Sequence, residues 1–337
     1  MKEIVLIPAY KPDEKLVTLV KQLNNAQLNA VIVNDGSGSE YDEIFKEVSE
    51  FAAVVSHPHN CGKGRALKTG IKYISENFGE CRFFITADAD GQHRVEDILR
   101  VKDELENGAE FVLTTRKLKR NIPFRSKFGN DLSRFVYTLA TGKYFSDNQS
   151  GLRGFSIDNA KWLLEVKGEK YDYEMNMLYY AAKQAIPVTT LDIEAVYIDG
   201  NKSSHFNPVL DTVRIYRLLF NSAKASIISA IVAQLFVFSC FFVPDTAYDF
   251  LYITAAGLLA ALITYLLNKF LLFKNIDVRD GLRTLLFTVV RYVMYTIFAA
   301  LIIGLFPALP VYLAFIICVI IGLPVRFYLH KYVDAIN

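Results

Sequence analysis

Two carboxylates separated by one residue follow directly after an apolar segment, and their spacing is suited to metal chemistry. Asp88 and Asp90 come immediately after Phe83–Ala87. Mg²⁺ and Mn²⁺ prefer oxygen ligands and are commonly shared with the phosphates of a substrate. A cation held by both aspartates would neutralise charge on a leaving diphosphate. Because such pairs also occur by chance in exposed loops, the prediction of a metal site depends on the rest of the chain.

Three further motifs follow apolar segments in the same half of the chain. They are Pro8-Ala9-Tyr10, Asn34-Asp35-Gly36 and the glycine-rich turn Asn60-Cys61-Gly62-Lys63-Gly64. Asp35 is suited to hydrogen bonds with a pyrimidine or a ribose, although an Asp before a glycine also forms turns. Lys63 is suited to a phosphate, because the surrounding glycines let a ligand approach the backbone. The alternative for Lys63 is a solvated side chain.

The elements that position these residues are predicted from hydrophobic periodicity. Short apolar runs predict strands at Glu3–Ala9, Ala30–Val33, Ala53–Ser56, Phe83–Ala87 and Phe111–Thr115. Helical spacing predicts a helix after the capping residue Asp13, and others over Tyr41–Phe51, from Gly64 through Ile74, and near Glu174. This alternation is typical of α/β proteins with a mostly parallel sheet, in which ligands bind at the carboxyl ends of the strands. We therefore expect the four motifs to meet at one edge of the sheet.

The composition excludes some classes of protein. The chain has 337 residues and a formal net charge of +2, which is too small to indicate nucleic-acid binding, so we expect no nucleic-acid partner. None of the four cysteines forms a Cys-x-x-Cys pair, which argues against a disulfide framework or a zinc site and favours a reducing compartment. We predict no signal peptide, because Met1-Lys2-Glu3 leads directly into a strand-like run.

Long apolar runs in the last third of the chain predict a membrane domain. Four runs are each near the ~20 residues that cross hydrocarbon, and they lie at 223–243, 250–273, 285–306 and 311–328. Basic residues precede the first run, cluster between the second and third, and follow the fourth. Positive-inside counting therefore places both termini in the cytoplasm of a multi-pass protein of the cell membrane. The amphipathic segment 207–222 is expected to lie on the membrane surface as a helix.

The predicted organisation follows from these patterns. A cytoplasmic α/β domain at 1–206 is joined by the juxtamembrane helix at 207–222 to an all-α, four-helix transmembrane domain at 223–337. The candidate binding residues at the carboxyl ends of the strands are therefore expected on the cytoplasmic side.

Five motifs in this order resemble a known family. Pro8-Ala9-Tyr10, Val33-Asn34-Asp35-Gly36-Ser37, His59-Asn60-x-Gly62-Lys63-Gly64, Asp88-x-Asp90-Gly91-Gln92 and Gln149-Ser150-Gly151-x-Arg153 look like the motif series of inverting family 2 glycosyltransferases. Within that family the chain most resembles the polyprenyl-phosphate and dolichol-phosphate sugar transferases. The resemblance covers about the first 205 residues. It implies a GT-A, Rossmann-like α/β fold that binds a nucleotide diphosphate.

The resemblance also implies site residues. Donor contacts are expected from Pro8, Ala9, Tyr10, Asp13, Asp35, Lys63, Asp88 and Gln149, and Gln92 is expected to complete the site of a Mg²⁺ or Mn²⁺ ion with Asp88 and Asp90. The family often has Asn-Glu after the first-strand tyrosine, whereas Tyr10 is followed here by Lys11-Pro12-Asp13-Glu14. Which acid contacts the nucleotide is therefore left open.

Basic residues predict where an anionic lipid head group would bind. Arg116 ends the fifth predicted strand, and the basic stretch after it contains Arg125 and Ser126, of which Ser126 resembles the acceptor loop of the dolichol-phosphate branch. Lys202 and His205 are suited to a lipid phosphate near the bilayer, the alternative being a plain linker. Arg291 lies inside the third apolar run, where a charge is costly and often functional unless it snorkels to the surface.

The need for a catalytic base depends on the acceptor. A sugar hydroxyl must lose a proton to a positioned carboxylate, for which Asp147 and Glu174 are the candidates. A phosphate monoester already carries roughly −1.5 to −2 charge at neutral pH and needs positive guides instead. With a phosphate acceptor, Asp147 and Glu174 become positioning residues, Asp90 acts with the metal, and Arg153 is expected to stabilise the developing charge on the diphosphate.

The membrane half resembles the GtrA-like family of four-span proteins, above all in Leu266-Leu267-Asn268-Lys269-Phe270-Leu271-Leu272-Phe273. That resemblance implies a role in moving polyprenyl-linked sugars across the membrane. The expected function is inverting transfer of a sugar, from a UDP-hexose or UDP-N-acetylhexosamine, to polyprenyl (undecaprenyl) phosphate for cell-envelope polysaccharide or teichoic acid glycosylation. A transferase acting on a hydroxyl of a glycolipid or polymer, and a transport or scaffold protein with a degenerate transferase domain, remain alternatives. A homo-oligomer is also left open.

Overall fold

The computed structural model describes residues 3–117, 131, 133–138 and 141–194, together with isolated helical positions at 262, 297, 298, 301, 304, 305 and 317. The chain divides into two compact units. The first comprises Met1–Arg134, Phe145–Ala182 and Ile186–Arg217, and it contains all the strands that the structure describes. The second comprises Phe135–Tyr144, Lys183–Ala185 and Leu218–Asn337.

Strands and helices alternate through the described part of the chain. The strands are β1 (Glu3–Ala9), β2 (Asn29–Asn34), β3 (Ala53–Ser56), β4 (Phe83–Thr86), β5 (Phe111–Lys117), β6 (Arg153–Ser156) and β7 (Thr189–Glu194). The helices with both ends described are α1 (Glu14–Asn25), α2 (Asp42–Val48), α3 (Lys63–Asn77), α4 (Val95–Glu106), α5 (Ala160–Glu165) and α6 (Asp172–Lys183).

The strands form one mixed sheet in the order β3-β2-β1-β4-β6-β5-β7. β6 runs antiparallel to both of its neighbours, and every other pair of described strands is parallel. Because β1 pairs with β2 on one side and β4 on the other, the carboxyl ends of these three strands meet at the same edge. The expected mostly parallel α/β sheet is therefore present, with one antiparallel strand inserted.

The central strand β1 is buried on both faces, as its continuous apolar sequence predicts. Ile4, Val5, Leu6 and Ile7 are each at most 1% exposed. Helix α3 packs closely on this strand, because a Cβ added at Gly70 would lie 2.1 Å from Cδ1 of Leu6. This close approach brings the start of α3 to the edge where β1 and β2 end.

Several sequence predictions agree with the observed elements, and others differ at the ends. The strands predicted at Glu3–Ala9 and Ala53–Ser56 have the observed bounds, and Asp13 caps α1 by accepting a hydrogen bond from the Lys15 amide at 3.0 Å. The helix predicted over Tyr41–Phe51 is shorter, at Asp42–Val48. Helices α4 and α5 and strands β6 and β7 were not predicted. Strand β6 gives a weak apolar pattern, because it has only four residues, one of which is Arg153.

The predicted juxtamembrane helix and the four predicted spans lie outside the described residues, apart from seven isolated helical positions. Among the helices that the structure describes, none combines the length and the hydropathy that a membrane span requires.

Candidate active site at the carboxyl ends of the parallel strands

The four motifs singled out by sequence lie together at one edge of the sheet. Ala9 ends β1, and its carbonyl accepts a hydrogen bond from the Asp35 amide, which follows β2, at 2.8 Å. The amide of Ala87, which follows β4, donates to the carbonyl of Leu6 on β1 at 3.0 Å. These bonds continue the sheet by one residue beyond the strands, so the loops that carry the polar residues begin side by side.

Asp35 holds the glycine-rich turn that begins α3. Its carboxylate accepts hydrogen bonds from the backbone amides of Cys61 and Gly62, at 2.9 and 2.8 Å, and lies 2.7 Å from Nδ1 of His57. The side chain is almost completely buried, and Nε2 of His57 lies 2.9 Å from the hydroxyl of Thr69 on α3. Asp35 therefore positions the turn, and its predicted contact with a nucleotide stays a prediction.

The turn also packs against the segment that precedes α6. Gly62 has a φ of +103°, and a Cβ on it would lie 2.4 Å from the carbonyl oxygen of Glu169. The Glu169 carbonyl accepts a hydrogen bond from the Arg65 amide at 3.0 Å. The carboxylate of Glu169 forms ion pairs with Arg65 and Lys68. The start of α3 is consequently held from two sides, by Asp35 and by the residues around Glu169.

Lys63, the first residue of α3, joins two acidic side chains from different parts of the chain. Its Nζ lies 2.7 Å from Oδ1 of Asp88 and 2.9 Å from Oε2 of Glu174. Only 17% of the lysine side chain and 12% of the Glu174 side chain are exposed. The structure thus brings together three residues that the sequence analysis had assigned separately to the donor, the metal and catalysis.

The electrostatics of this cluster keep Lys63 and Asp88 ionised. Burial alone lowers the pKa of Lys63, but the negative charges of Asp88 and Glu174 outweigh it and raise the pKa above its ordinary value. Burial alone raises the pKa of Asp88, but the Lys63 charge and the hydrogen bond from His93 outweigh it and lower the pKa far below the ordinary range. A partly buried ion pair is therefore maintained at neutral pH.

Asp90 lies in a different environment from Asp88. Its Oδ1 accepts a hydrogen bond from the Gln92 amide at 3.0 Å. Burial, and next the negative charge of Asp88, raise its pKa above the ordinary value. A second cation beside the two aspartates would relieve this repulsion.

The donor set fits a hard divalent cation. Asp88, Asp90 and Gln92 offer carboxylate and amide oxygens, which Mg²⁺ and Mn²⁺ prefer. The ammonium of Lys63, already bound to Asp88, shows that the site stabilises positive charge. The residues do not select between the two ions.

Two residues lie against the Asp88 side chain, although no role was assigned to them from the sequence. Nε2 of the buried His93 lies 3.4 Å from Oδ2 of Asp88. A Cβ added at Gly151 would lie 2.5 Å from the same oxygen, so only glycine permits this approach. His93 directly follows the motif Asp88-x-Asp90-Gly91-Gln92. Gly151 belongs to the motif Gln149-Ser150-Gly151-x-Arg153, and its position beside Asp88 depends on the pairing of β4 with β6.

Arg153 lies elsewhere than expected. It is completely buried at the start of β6, where Nε donates to the carbonyl of Ser150 at 2.9 Å and an η nitrogen donates to the carbonyl of Glu174 at 2.6 Å. The guanidinium therefore holds the Glu174 backbone in place, and the predicted stabilisation of charge on the diphosphate by Arg153 stays a prediction.

Arg116 and Asp147 form a second, partly buried ion pair. Nε of Arg116 donates to Oδ2 of Asp147 at 2.6 Å, and the Gln149 amide donates to Oδ1 at 2.9 Å. Burial alone raises the pKa of Asp147, but the Arg116 charge and hydrogen bonds outweigh it and lower the pKa. Asp147 is therefore a weak base at neutral pH.

The remaining predicted site residues lie at the surface or outside the described part. Tyr10 and Pro8 are half-buried at the end of β1, whereas Gln149 and the α1 cap Asp13 are exposed. The predicted acceptor residues Arg125, Ser126, Lys202, His205 and Arg291 lie outside the described residues.

Asp35, His57 and Cys61 also offer possible metal-ligand atoms within 4.8 Å of one another. The Asp35 carboxylate is already used by two backbone amides and by His57, and Sγ of Cys61 donates to the His59 carbonyl at 3.3 Å. We interpret this group as a hydrogen-bonded support of the turn.

Comparison with known proteins finds sugar transferases among the sequences that are similar to this chain. A family model described as glycosyl transferase family 2 matches residues 4–158. UDP-N-acetylglucosamine–dolichyl-phosphate N-acetylglucosaminyltransferase from Methanococcus voltae is 30% identical over 237 residues, which cover 64% of this chain and 94% of the relative. An uncharacterised protein from Methanocaldococcus jannaschii is 30% identical over 64% of this chain and 90% of its own length.

More distant similarities are also present. Polyprenol monophosphomannose synthase from Mycolicibacterium smegmatis is 25% identical, over 57% of this chain and 76% of the relative. Among solved structures, glucosyl-3-phosphoglycerate synthase from Mycobacterium tuberculosis, in complex with Mn²⁺, uridine diphosphate and glucosyl-3-phosphoglycerate, is 16% identical with a TM-score of 0.49, over 66% of this chain and 79% of that chain.

Proposed function

This chain belongs to glycosyl transferase family 2, and we propose that it transfers a sugar from a nucleotide diphosphate to a polyprenyl phosphate. The relatives support the acceptor, because one is named for dolichyl phosphate and another for polyprenol phosphate. A UDP-hexose or a UDP-N-acetylhexosamine is the proposed donor, as in the name of the relative from Methanococcus voltae.

The observation that carries the proposal is the ion cluster of Lys63, Asp88 and Glu174 at the carboxyl edge of the sheet. Phosphates bind readily at the N-termini of helices, where the dipole and backbone amides favour negative charge. Lys63 begins α3, so its ammonium and the helix terminus lie at the same place. This arrangement supports a site for the donor diphosphate beside the two aspartates.

Asp88, Asp90 and Gln92 are proposed to hold the Mg²⁺ or Mn²⁺ ion. When bound, this ion would supply charge neutralisation to the leaving diphosphate. The chain's own residues do the rest: Lys63 orients the diphosphate, and Arg153 fixes the backbone of Glu174, which in turn positions Lys63.

The proposed reaction needs no proton transfer. An oxygen of the acceptor phosphate attacks the anomeric carbon, the bond from that carbon to the diphosphate oxygen breaks, and the electron pair leaves with the diphosphate. The configuration at the anomeric carbon is inverted. Arg116 is proposed to guide the anionic acceptor, which would compete with Asp147 for its guanidinium.

The ion pairs also favour a phosphate acceptor over a hydroxyl. A hydroxyl acceptor needs a carboxylate that can take a proton. Asp147 is bound to Arg116 with a lowered pKa, and Glu174 is bound to Lys63. Both candidates for the general base are therefore committed to cations, as positioning residues would be.

We further propose that residues 223–337 anchor the enzyme by four spans, with both termini cytoplasmic, and that they bind or flip the lipid-linked product. Apolar side chains support this proposal. All the large hydrophobic residues that are exposed in the described part of the chain lie in the predicted spans, namely Leu262, Ile297, Phe298, Leu301, Leu305 and Ile317. Exposed apolar side chains of this kind are stable against lipid hydrocarbon.

The function is tested with membranes that contain the full chain. They are incubated with undecaprenyl phosphate and labelled UDP-glucose, UDP-N-acetylglucosamine or GDP-mannose, with Mn²⁺ or with a chelator. We expect a lipid-linked sugar that mild acid releases, and we expect its loss when the metal is removed. Asp88→Asn should reduce its formation by at least about a hundredfold, because the metal and the diphosphate both lose a charged partner.

The matched control is Asp103→Asn, which removes an exposed carboxylate from α4, fifteen residues after Asp88. We expect this variant to retain the parental rate. Sugar transfer to a hydroxyl acceptor, with none to the lipid phosphate, would replace the proposed acceptor. Donor binding without any transfer would support the scaffold alternative.

A further inference from the structure

Lys63 binds the carboxylate that a metal ion would need. Its Nζ lies 2.7 Å from Oδ1 of Asp88, with Glu174 2.9 Å away on the other side. We propose that Lys63 is an internal counter-cation that closes Asp88 to divalent ions until a diphosphate draws the ammonium away, so that metal and donor bind together. The identification of that diphosphate as a sugar donor rests on the proposed function, whereas the closure of Asp88 does not.

Two neighbouring residues crowd the second oxygen of Asp88. His93 Nε2 lies 3.4 Å from Oδ2, and Gly151 packs so closely that an added Cβ would lie 2.5 Å from the same atom. A divalent ion of this type binds oxygen at roughly 2.1 Å. Because Oδ2 is crowded in this way, we expect an ion that binds Asp88 to compete with Lys63 for Oδ1.

Displacement of Lys63 by a metal alone is unfavourable for two reasons. The ammonium would stay beside the incoming ion, since Glu174 holds it 2.9 Å away, and like charges at such separations repel strongly in a partly buried site. Asp88 would also lose its ion pair with Lys63 when it bound the metal, so that it would gain no additional partner. We therefore expect weak binding of metal to the protein without nucleotide.

A diphosphate removes both obstacles. It brings negative charge to the start of α3, where Lys63 is the first residue and has a flexible four-carbon side chain. Once the ammonium turns to the phosphate, Oδ1 of Asp88 is released for the metal. Binding of the metal then raises the affinity of the protein for the diphosphate, and binding of the diphosphate raises its affinity for the metal, by more than the direct contact of the two ligands explains. This coupling is reciprocal.

The test is Mn²⁺ binding, followed by the electron paramagnetic resonance signal of free Mn²⁺, with the full chain in detergent. We expect Lys63→Gln to bind Mn²⁺ without nucleotide about 5- to 150-fold more tightly than the parent, the usual range of such coupling. We also expect UDP to tighten Mn²⁺ binding strongly in the parent and much less in the variant. Both measurements read binding and do not depend on turnover.

Lys68→Gln is the matched control, because Lys68 is another largely buried lysine of α3 that pairs with Glu169 at 3.1 Å rather than with Asp88. Its Mn²⁺ affinity should equal that of the parent, which separates release of Asp88 from the mere loss of a positive charge. The double variant with Asp88→Asn should lose the gain of Lys63→Gln. Thermal unfolding checks that each variant is folded.

Unchanged Mn²⁺ affinity in Lys63→Gln, or an equal gain in Lys68→Gln, would overturn the closure of Asp88. An equal effect of UDP on Mn²⁺ binding in the parent and in Lys63→Gln would overturn the release by diphosphate. The proposed function fails separately: a gain in Mn²⁺ affinity with no transfer of any sugar would leave Lys63 as the counter-cation of a site with another substrate.

Discussion

At the scale of single residues, the candidate site is built from charges that are paired with one another before any ligand binds. Lys63 lies between Asp88 and Glu174, and Arg116 lies on Asp147. Because each cation has a carboxylate partner, it is held in position without an unpaired charge in a partly buried site. A ligand with phosphate groups competes for these cations and releases carboxylates for other partners.

Gly151 is the residue whose substitution tests this packing most directly. We expect Gly151→Ala to push the Asp88 carboxylate out of place, because the new Cβ would lie 2.5 Å from Oδ2. Sugar transfer should fall by at least about tenfold, and Mn²⁺ binding in the presence of UDP should weaken. The measurements are the initial rate and the Mn²⁺ titration.

Gly79→Ala is the control for Gly151→Ala. A Cβ at Gly79 meets no atom within 4 Å. We expect parental activity from this variant. Full activity in Gly151→Ala would mean that Asp88 does not need its observed position.

At the scale of elements, the start of α3 is the part that the fold positions most firmly. Asp35 binds the amides of Cys61 and Gly62 from one side, and the Glu169 carbonyl binds the Arg65 amide from the other. The close packing of Gly70 on Leu6 fixes the helix on the central strand. Lys63 consequently reaches the same edge of the sheet as Asp88.

Asp35→Asn is expected to loosen this turn. Both oxygens of the Asp35 carboxylate accept hydrogen bonds, whereas asparagine has one oxygen and one NH₂ group. The NH₂ group would therefore face at least one N–H group that Asp35 now binds, and that hydrogen bond would be lost. Hydrogen exchange of the amides at Cys61 and Gly62 should accelerate by at least about tenfold, a change of about 1.4 kcal/mol in local opening.

The exposed Asp42 of α2 offers the comparison for this exchange measurement. Asp42→Asn should leave the turn amides protected. Unchanged protection in Asp35→Asn would assign Asp35 to ligand contact alone and not to support of the turn.

At the scale of the whole molecule, the described structure covers most of the first unit, whereas the membrane domain at 223–337 is a prediction from the sequence pattern. The expected GT-A α/β domain agrees with the family match at residues 4–158 and with the mixed sheet. The four spans, the topology and any homo-oligomer stay predictions. The exposed apolar residues at helical positions after residue 260 are what a lipid-facing surface requires.

The topology is tested by cysteine labelling of whole cells. Asp245→Cys, between the first two predicted spans, should react with a membrane-impermeant maleimide added outside, and Asn275→Cys, between the second and third, should not. The parent chain, with its four native cysteines, gives the background. Labelling of Asn275→Cys from outside would invert the proposed orientation and remove the cytoplasmic donor site.

The sequence by itself determined the strands near the active edge, the order of the motifs and the family. A short apolar run that ends at a proline, such as Ile4–Ile7 before Pro8, favours a buried strand, and parallel strands bring their carboxyl ends together. Asp13 was predictable as a cap because capping depends on neighbours along the chain. The position of Asp88 and Asp90 at the active edge followed from the same local rules.

Only the tertiary structure decided which charges meet. Lys63, Asp88 and Glu174 are far apart in sequence, and their pairing depends on α3, β4 and α6 arriving at one place. The antiparallel insertion of β6 buries Arg153 and places Gly151 against Asp88, which no local pattern indicates. Periodicity reports which residues are buried, but the partners of a buried charge are set by long-range packing.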